Sequence, residues 1–344
     1  MSALLTSIRA ELEAQVASFG PPSDSRSFIV ADVDLEIRVY GSELAHTMLP
    51  AFDGRQPSAP DAAPMVVHMW DHTATNTTLP SAVQTLLRPG QQPRYVDGIN
   101  HLIVSEGMCG LVTEGVARHT ALVTVDAAAE LPSFHRGSPA SLLLASLLGR
   151  RGRPFVHAAC VGLPERGAVL IAGRSGSGKS TTALRCLAAG WQYVGDDYVV
   201  VRPDDATAHC LYSTAKLAPS GFADATLAPR GAELYVDPRH TDKTIAQLWP
   251  ACQAQMPASL PIRAIVAPTV GSGERTSWQR AASGSGLLAL APSTLLQLPT
   301  AASAQLAPLS RLARSVPSVT MQLGSDPDGV IAALAAVLDS LGPA

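Results

Sequence analysis

Residues Gly173 to Ser180 read GRSGSGKS, and Asp196 and Asp197 follow Lys179 by 17 and 18 residues. Both groups are of kinds that handle phosphate. The first satisfies G-x-x-x-x-G-K-S in full, after the apolar run GAVLIAG and before the helix-like run STTALRCLAAG. Glycine at 173, 176 and 178 lets the backbone turn several amides toward one phosphate chain. A helix opening at Lys179 adds partial positive charge at its N-terminus. Lys179 can reach the outer phosphates and the Ser180 hydroxyl suits Mg²⁺, while Ser175, Ser177 and Thr181 complete the nucleotide-binding set. The run predicts a bound nucleoside triphosphate with Mg²⁺.

The aspartates supply what that loop lacks. A hydroxyl acceptor needs a carboxylate within reach of its proton, and Mg²⁺ needs a further anionic anchor. Asp196 and Asp197 sit between WQYV and YVVV, inside an apolar strand pattern, where charge is costly unless compensated. Neighbours on a strand point to opposite sides, so the two carboxylates are expected to do different work unless the strand bends. Gly195, just before them, permits a bend. Asp204 and Asp205 in RPDDATA are the contrast: after a proline in a polar stretch, they read as a turn.

The elements that position these residues are legible in part. From Pro154 the pattern runs strand, turn, helix, strand: FVHAACVGL (155–163), GAVLIAG (167–173), a helix from Lys179 stopped by Gly190, then WQYVGDDYVVVRP as one strand. Near the end, Asp326 caps a helix with Pro327 in its first turn and Val330, Leu334, Leu338 and Leu341 on its buried face. The Gly-Ser pieces at 271–273 and 283–286 read as loops. SPASLLLASLLGRRG (138–152) reads as a helix, and the domain boundary is placed at its start.

Residues 27 to about 128 read as β-rich. Val33, Leu35, Ile37 and Val39 alternate with Asp34, Glu36, Arg38 and Tyr40, a half-buried strand. Further strands are expected at 64–70, 101–115 and 120–125, with a turn at Gly107 and loops at 53–64 and 88–93. Leu5, Ile8, Leu12 and Val16 predict an amphipathic N-terminal helix. His68 and His72 are four apart, but the preceding MVV favours a strand end over a metal pair.

The stretch 150–200 resembles the catalytic domain of HPr kinase/phosphorylase. That resemblance rests on Lys179, Ser180, Gly190, Asp196 and Asp197 at matching offsets. It implies ATP as the nucleotide, Asp197 as general base, Asp196 with Ser180 as Mg²⁺ anchors, and His157 as the upstream active-site histidine. The family's E-x-R-G run, which supplies a further metal-binding glutamate, is absent. The arrangement looks more like the HPr-kinase-related proteins that phosphorylate a serine of a ribosomal precursor peptide, as in lasso peptide pathways. Such proteins also carry lysines where Lys216 and Lys243 stand, which implies phosphate or peptide-carboxylate contacts there. The fold class expected is α/β: a β-rich N-terminal domain (1–137) for substrate recognition, then a P-loop domain of the HPr-kinase/PEP-carboxykinase-like type (138–344). Members of the family form hexamers through this domain, which leaves a homo-oligomer open.

Composition sets the outer limits. The 344 residues are 47% apolar and 15% charged, with a formal charge of −3. That balance fits a folded chain and gives no broad polycationic surface for nucleic acid. Five scattered cysteines without a CxxC, and no apolar run long enough for a bilayer, predict a cytoplasmic protein with no membrane partner. The leading expectation is an ATP-dependent kinase of a serine hydroxyl on a peptide or protein. A kinase of a small-molecule hydroxyl, such as a free amino acid, is the alternative on the same scaffold. A nucleotide-gated binding module or ATPase is the alternative from another class.

Overall fold

The computed structural model describes residues 2–59, 63–86, 94–97, 100–105, 108–114, 119–218, 227, 229–237, 240–282, 284–297 and 302–342. The chain is mixed α/β, with sheets of seven, nine and three strands among the described residues.

Period-two alternation builds the first sheet. It contains β1 (Asp24–Val30), β2 (Val33–Tyr40), β3 (Met65–Asp71), β4 (Arg94–Asp97), β5 (Asn100–Ser105), β6 (Met108–Glu114) and β7 (His119–Val125). Their order is β1-β2-β3-β7-β6-β5-β4; β3 runs parallel to β2 and β7, and the other pairs are antiparallel. One face carries Leu35, Ile37, Val39, Val67 and Val123 against α2 (Ser42–Met48) and a 3-10 turn at Leu49–Phe52. The other lies under α1 (Ser2–Ser18), whose Leu5, Ile8 and Leu12 are fully buried against Tyr40 and Trp70. Tyr40, expected on the polar side of its strand, is therefore buried and packs beside Phe19. Two short helices, α3 (His72–Thr75) and α4 (Ser81–Leu86), follow β3. The turn expected at Gly107 and the loop at 88–93 lie outside the described residues.

The second half opens with α5 (Ser133–Gly137) and α6 (Ser141–Arg150). Leu143, Leu144, Leu147 and Leu148 of α6 are buried in the core of the first sheet, which also takes in Phe155, Val200, Leu211 and Tyr212 from further along. Gly110 on β6 lets α6 come this close, since a Cβ there would stand 2.4 Å from Leu143. The two halves thus share one apolar core.

The nine-stranded sheet contains β8 (Phe155–Val156), β9 (Ala158–Leu163), β10 (Gly167–Ala172), β11 (Gln192–Gly195), β12 (Val199–Arg202), β13 (Thr207–His209), β17 (Ser259–Val270), β18 (Ser277–Arg280) and β19 (Ser318–Leu323). β10, β17 and β19 form its parallel centre. β10 is buried along its whole length, as its unbroken apolar run requires. After it come the glycine loop and α7 (Lys179–Ala188), which α10 (Pro327–Asp339) covers. Asp326 caps α10 as its sequence predicts, accepting from the amides of Asp328 and Gly329. The third sheet is β14 (Thr214–Leu217), β16 (His240–Gln247) and β15 (Glu233–Asp237), in that order.

Several expectations need correction. The strand predicted over 155–163 breaks at His157: β8 pairs with β12, whereas β9 pairs with β10 and β11. The strand predicted over 191–202 breaks at Asp196–Tyr198, between β11 and β12. Ser285 and Gly286, read as loop, open α8 (Ser285–Gln297), which with α9 (Ala302–Ser315) precedes β19. His68 and His72 are engaged by hydroxyls: Tyr40 meets His68, and Thr77 and Thr124 meet His72. The five cysteines are free and buried. Among the described residues no helix is long and apolar enough to cross a membrane.

Candidate active site

The glycine loop leaves β10 at Gly173 and enters α7 at Lys179. Gly176 and Gly178 hold φ of +78° and +93°, a region that β-carbons disfavour. A Cβ at Gly178 would also stand 2.6 Å from Leu323 on β19. Lys179 folds back over its own loop, and its Nζ donates to the carbonyls of Gly173 (2.9 Å) and Arg174 (3.0 Å). Burial lowers its pKa and Lys243 adds to that, against the pull of Asp197 and Asp196. A cavity of about 490 Å³ opens on the loop. Ser175, Gly176, Gly178, Lys179, Ser180 and Thr181 line it, as do His157, Asp197 and the exposed Lys243. Ser177 faces back toward Gly173 and takes no part in the cavity wall.

The bend at 196–198 sends the two aspartates apart. Asp196 is 3% exposed. It accepts from the Tyr193 hydroxyl (2.9 Å), the Lys216 amide (3.1 Å) and the Ser180 hydroxyl. Burial, with Asp197 next door, nonetheless pushes its carboxyl up to about 6. Asp197 turns to the cavity, with 26% of its side chain exposed. One oxygen meets His157 Nε2 at 3.1 Å and the other accepts from Lys216 Nζ at 2.8 Å. Burial alone would raise its pKa, but Lys216 and His157 hold it well below the usual carboxylate range.

The interruption between β8 and β9 at His157 places its ring here, and β14 delivers Lys216. The immediate partners of Lys216 are Asp197 and the Ser138 hydroxyl. Gly137 makes this approach feasible, since a Cβ there would stand 2.7 Å from Lys216 Cε. Tyr198 stacks on Phe155, 5.0 Å between centroids, and presents its ring to His157 and to the Lys216 ammonium. Ser138, Tyr193 and Tyr198 are additions to the residues that the sequence marks. Tyr193 and Tyr198 flank the aspartates in YVGDDY, which is the local signal for both; Ser138 lies too far along the chain to leave one.

The donors suit a hard cation. Ser180 and Asp196 are adjoining oxygen donors, and a buried carboxylate with a raised pKa gains from nearby positive charge. Mg²⁺ commonly takes one or two protein oxygens and fills its remaining positions with water and phosphate. Among the described residues no cluster of three His, Cys, Asp or Glu forms an all-protein cage. The cavity therefore combines a cationic loop with an ionised carboxylate poised between two basic side chains, and the metal-compatible pair reaches it through Ser180. Compared with known proteins, the chain matches no protein-family model and no curated sequence.

Proposed function

We propose that this protein is an ATP-dependent kinase that phosphorylates a serine hydroxyl of a peptide or protein. On this reading the glycine loop, α7 and the nine-stranded sheet form a P-loop domain of the HPr-kinase/PEP-carboxykinase-like type, and the N-terminal half serves acceptor recognition. The observation that carries the reading is Asp197, held ionised in the wall of the same cavity as Lys179 and Ser180.

The residues divide the work. The loop amides and Lys179 hold the outer phosphates, and Lys179 exchanges its two carbonyl partners for phosphate oxygens. Ser180 and Asp196 would hold Mg²⁺, which would neutralise charge on the phosphates. Asp197 receives the hydrogen bond of the acceptor hydroxyl. The acceptor oxygen bonds to the γ-phosphorus, the bond from that phosphorus to the β–γ bridging oxygen breaks, and the hydroxyl proton passes to Asp197. Phosphoryl transfer proceeds through a loose transition state, so positioning matters more than basicity. That suits a carboxylate which Lys216 keeps weakly basic. His157 and Tyr198 fix its orientation.

The test follows label from γ-labelled ATP with Mg²⁺ and either serine peptides or free serine. Asp197→Asn is expected to leave nucleotide binding nearly intact and reduce transfer by about 10²–10⁴-fold. Transfer by the variant at near the wild-type rate removes Asp197 from the role of base. Label that appears only as inorganic phosphate, with every acceptor, overturns the kinase reading.

A further inference from the structure

A second cavity, of about 260 Å³, lies at the junction of the two halves. The β1–β2 turn and the loop after the 3-10 turn form one side, and the β12–β13 hairpin the other. It shares no lining residue with the cavity on the glycine loop.

The cations in and beside it are unevenly matched. Arg202 is paired with Asp205, and Arg153 grips Asp32 through two bonds of 2.7 and 2.6 Å. Arg55 has no carboxylate partner among the described residues. Both its terminal nitrogens are shielded from solvent without an oxygen acceptor among the described residues, and its Nε makes one long contact, 3.4 Å, to the Asp53 carbonyl. The Cys210 thiol beside Arg55 is only a weak acceptor. His209 Nε2 is shielded and unpartnered as well. Buried donors are rarely left unmade, and a buried guanidinium without a counter-charge is costly. Two parallel N–H groups from one guanidinium match the two oxygens of a carboxylate.

Charge decides between anions. Among the described residues Arg55 supplies one uncompensated positive charge, and Asp32 already lines the same wall. A monoanion balances the site, whereas a dianion sets its second charge against Asp32. Ile29, Ala31 and Ala258 give the cavity an apolar side for a short carbon chain. Its volume exceeds several times the ~30 Å³ share of one water molecule.

We propose that this junction cavity binds a small monocarboxylate with a hydroxyl or keto oxygen on its second carbon. Arg55 holds both carboxylate oxygens, and His209, in the tautomer protonated at Nε2, donates to the neighbouring oxygen. The test is calorimetric titration of the full chain with pyruvate, lactate, acetate and inorganic phosphate. Pyruvate or lactate is expected to saturate one site at millimolar concentration or below, with acetate binding more weakly. Arg55→Gln and Arg55→Lys are each expected to weaken binding about ten-fold or more, since the second keeps the charge but loses the fork. Thermal unfolding of both variants checks that they remain folded, and Arg55→Lys, which keeps the charge, serves if Arg55→Gln does not. Absence of binding by every acid, or equal affinity in a folded Arg55 variant, overturns the site. Arg55-dependent binding of phosphate in preference to the acids overturns the monocarboxylate assignment.

Discussion

Asp197 shares its two carboxylate oxygens between His157 and Lys216, and that division sets its pH behaviour. Burial would raise its pKa, and the two bases more than reverse this. Removing Lys216 leaves burial less opposed. In Lys216→Met the acid limb of the transfer rate is therefore expected to move to higher pH than in the wild type, while Lys216→Arg largely retains the wild-type profile. Superimposable pH profiles for wild type and Lys216→Met sink this coupling. Asp196 does separate work behind Ser180. Asp196→Asn is expected to abolish the extra thermal stabilisation that Mg²⁺ adds to a bound ATP analogue, leaving that of the analogue alone. An undiminished Mg²⁺ effect removes Asp196 from the metal site. The glycine loop and the aspartate pair are legible in the sequence because each is a contiguous run with a fixed spacing. The contact of Lys216 with Asp197 is not, because it depends on β14 returning beside the bend at 196–198.

At the scale of elements, breaks in strands make the site. His157 and the aspartates occupy two such breaks, and each places a polar side chain where a continuous strand has none to spare. Periodicity sees the apolar residues on either side and joins them, so the breaks stay hidden until pairing is known; Gly195 is a local sign of the second break and not of the first. α8 and α9 are illegible for another reason. Each contains an internal proline, Pro292 or Pro308, and glycine-serine residues open the first. The glycine loop also leans on an element far away in sequence, β19, through Gly178 and Leu323. Gly176→Ala and Gly178→Ala separate these effects. Both place a β-carbon at positive φ, a strain of about 1–2 kcal/mol. Only Gly178→Ala also pushes on Leu323, since nothing lies within 4 Å of a Cβ at Gly176. Gly178→Ala is expected to lower the melting temperature more than Gly176→Ala. Equal losses show that contact with β19 does not hold the loop.

At the scale of the molecule, one core joins the halves, and buried or half-buried histidines stand along the junction. His101 on β5 bonds to Ser146 on α6 at 2.6 Å; burial, then Arg150, lowers its pKa to about 4. His135 on α5 is 4% exposed; burial, then Lys216, lowers it to about 3. His209 on β13 is lowered to about 4, by burial first and then by Arg202 and Arg153, with Asp205 and Asp32 opposing. Each is neutral in the fold and takes up a proton more readily once unfolded. A histidine with a depressed folded pKa contributes stability that is complete above its ordinary value of about 6.5 and is lost as pH falls toward the folded value. A tenfold difference in proton affinity between the folded and unfolded chain is worth about 1.4 kcal/mol, so each such group is a sizeable fraction of a domain's net stability, about 5–15 kcal/mol. Thermal unfolding is therefore expected as one transition at pH 7.5, with a midpoint that falls steeply between about pH 6.5 and 4.5. His101→Gln, which can keep a hydrogen bond to Ser146, is expected to flatten that fall. The junction matters for the site as well, because α5 carries His135 and Gly137 and is followed by Ser138, the partner of Lys216, so loss of the junction releases Lys216. Two separate transitions at neutral pH, or a midpoint indifferent to acid, contradict a junction held by a shared core and neutral histidines.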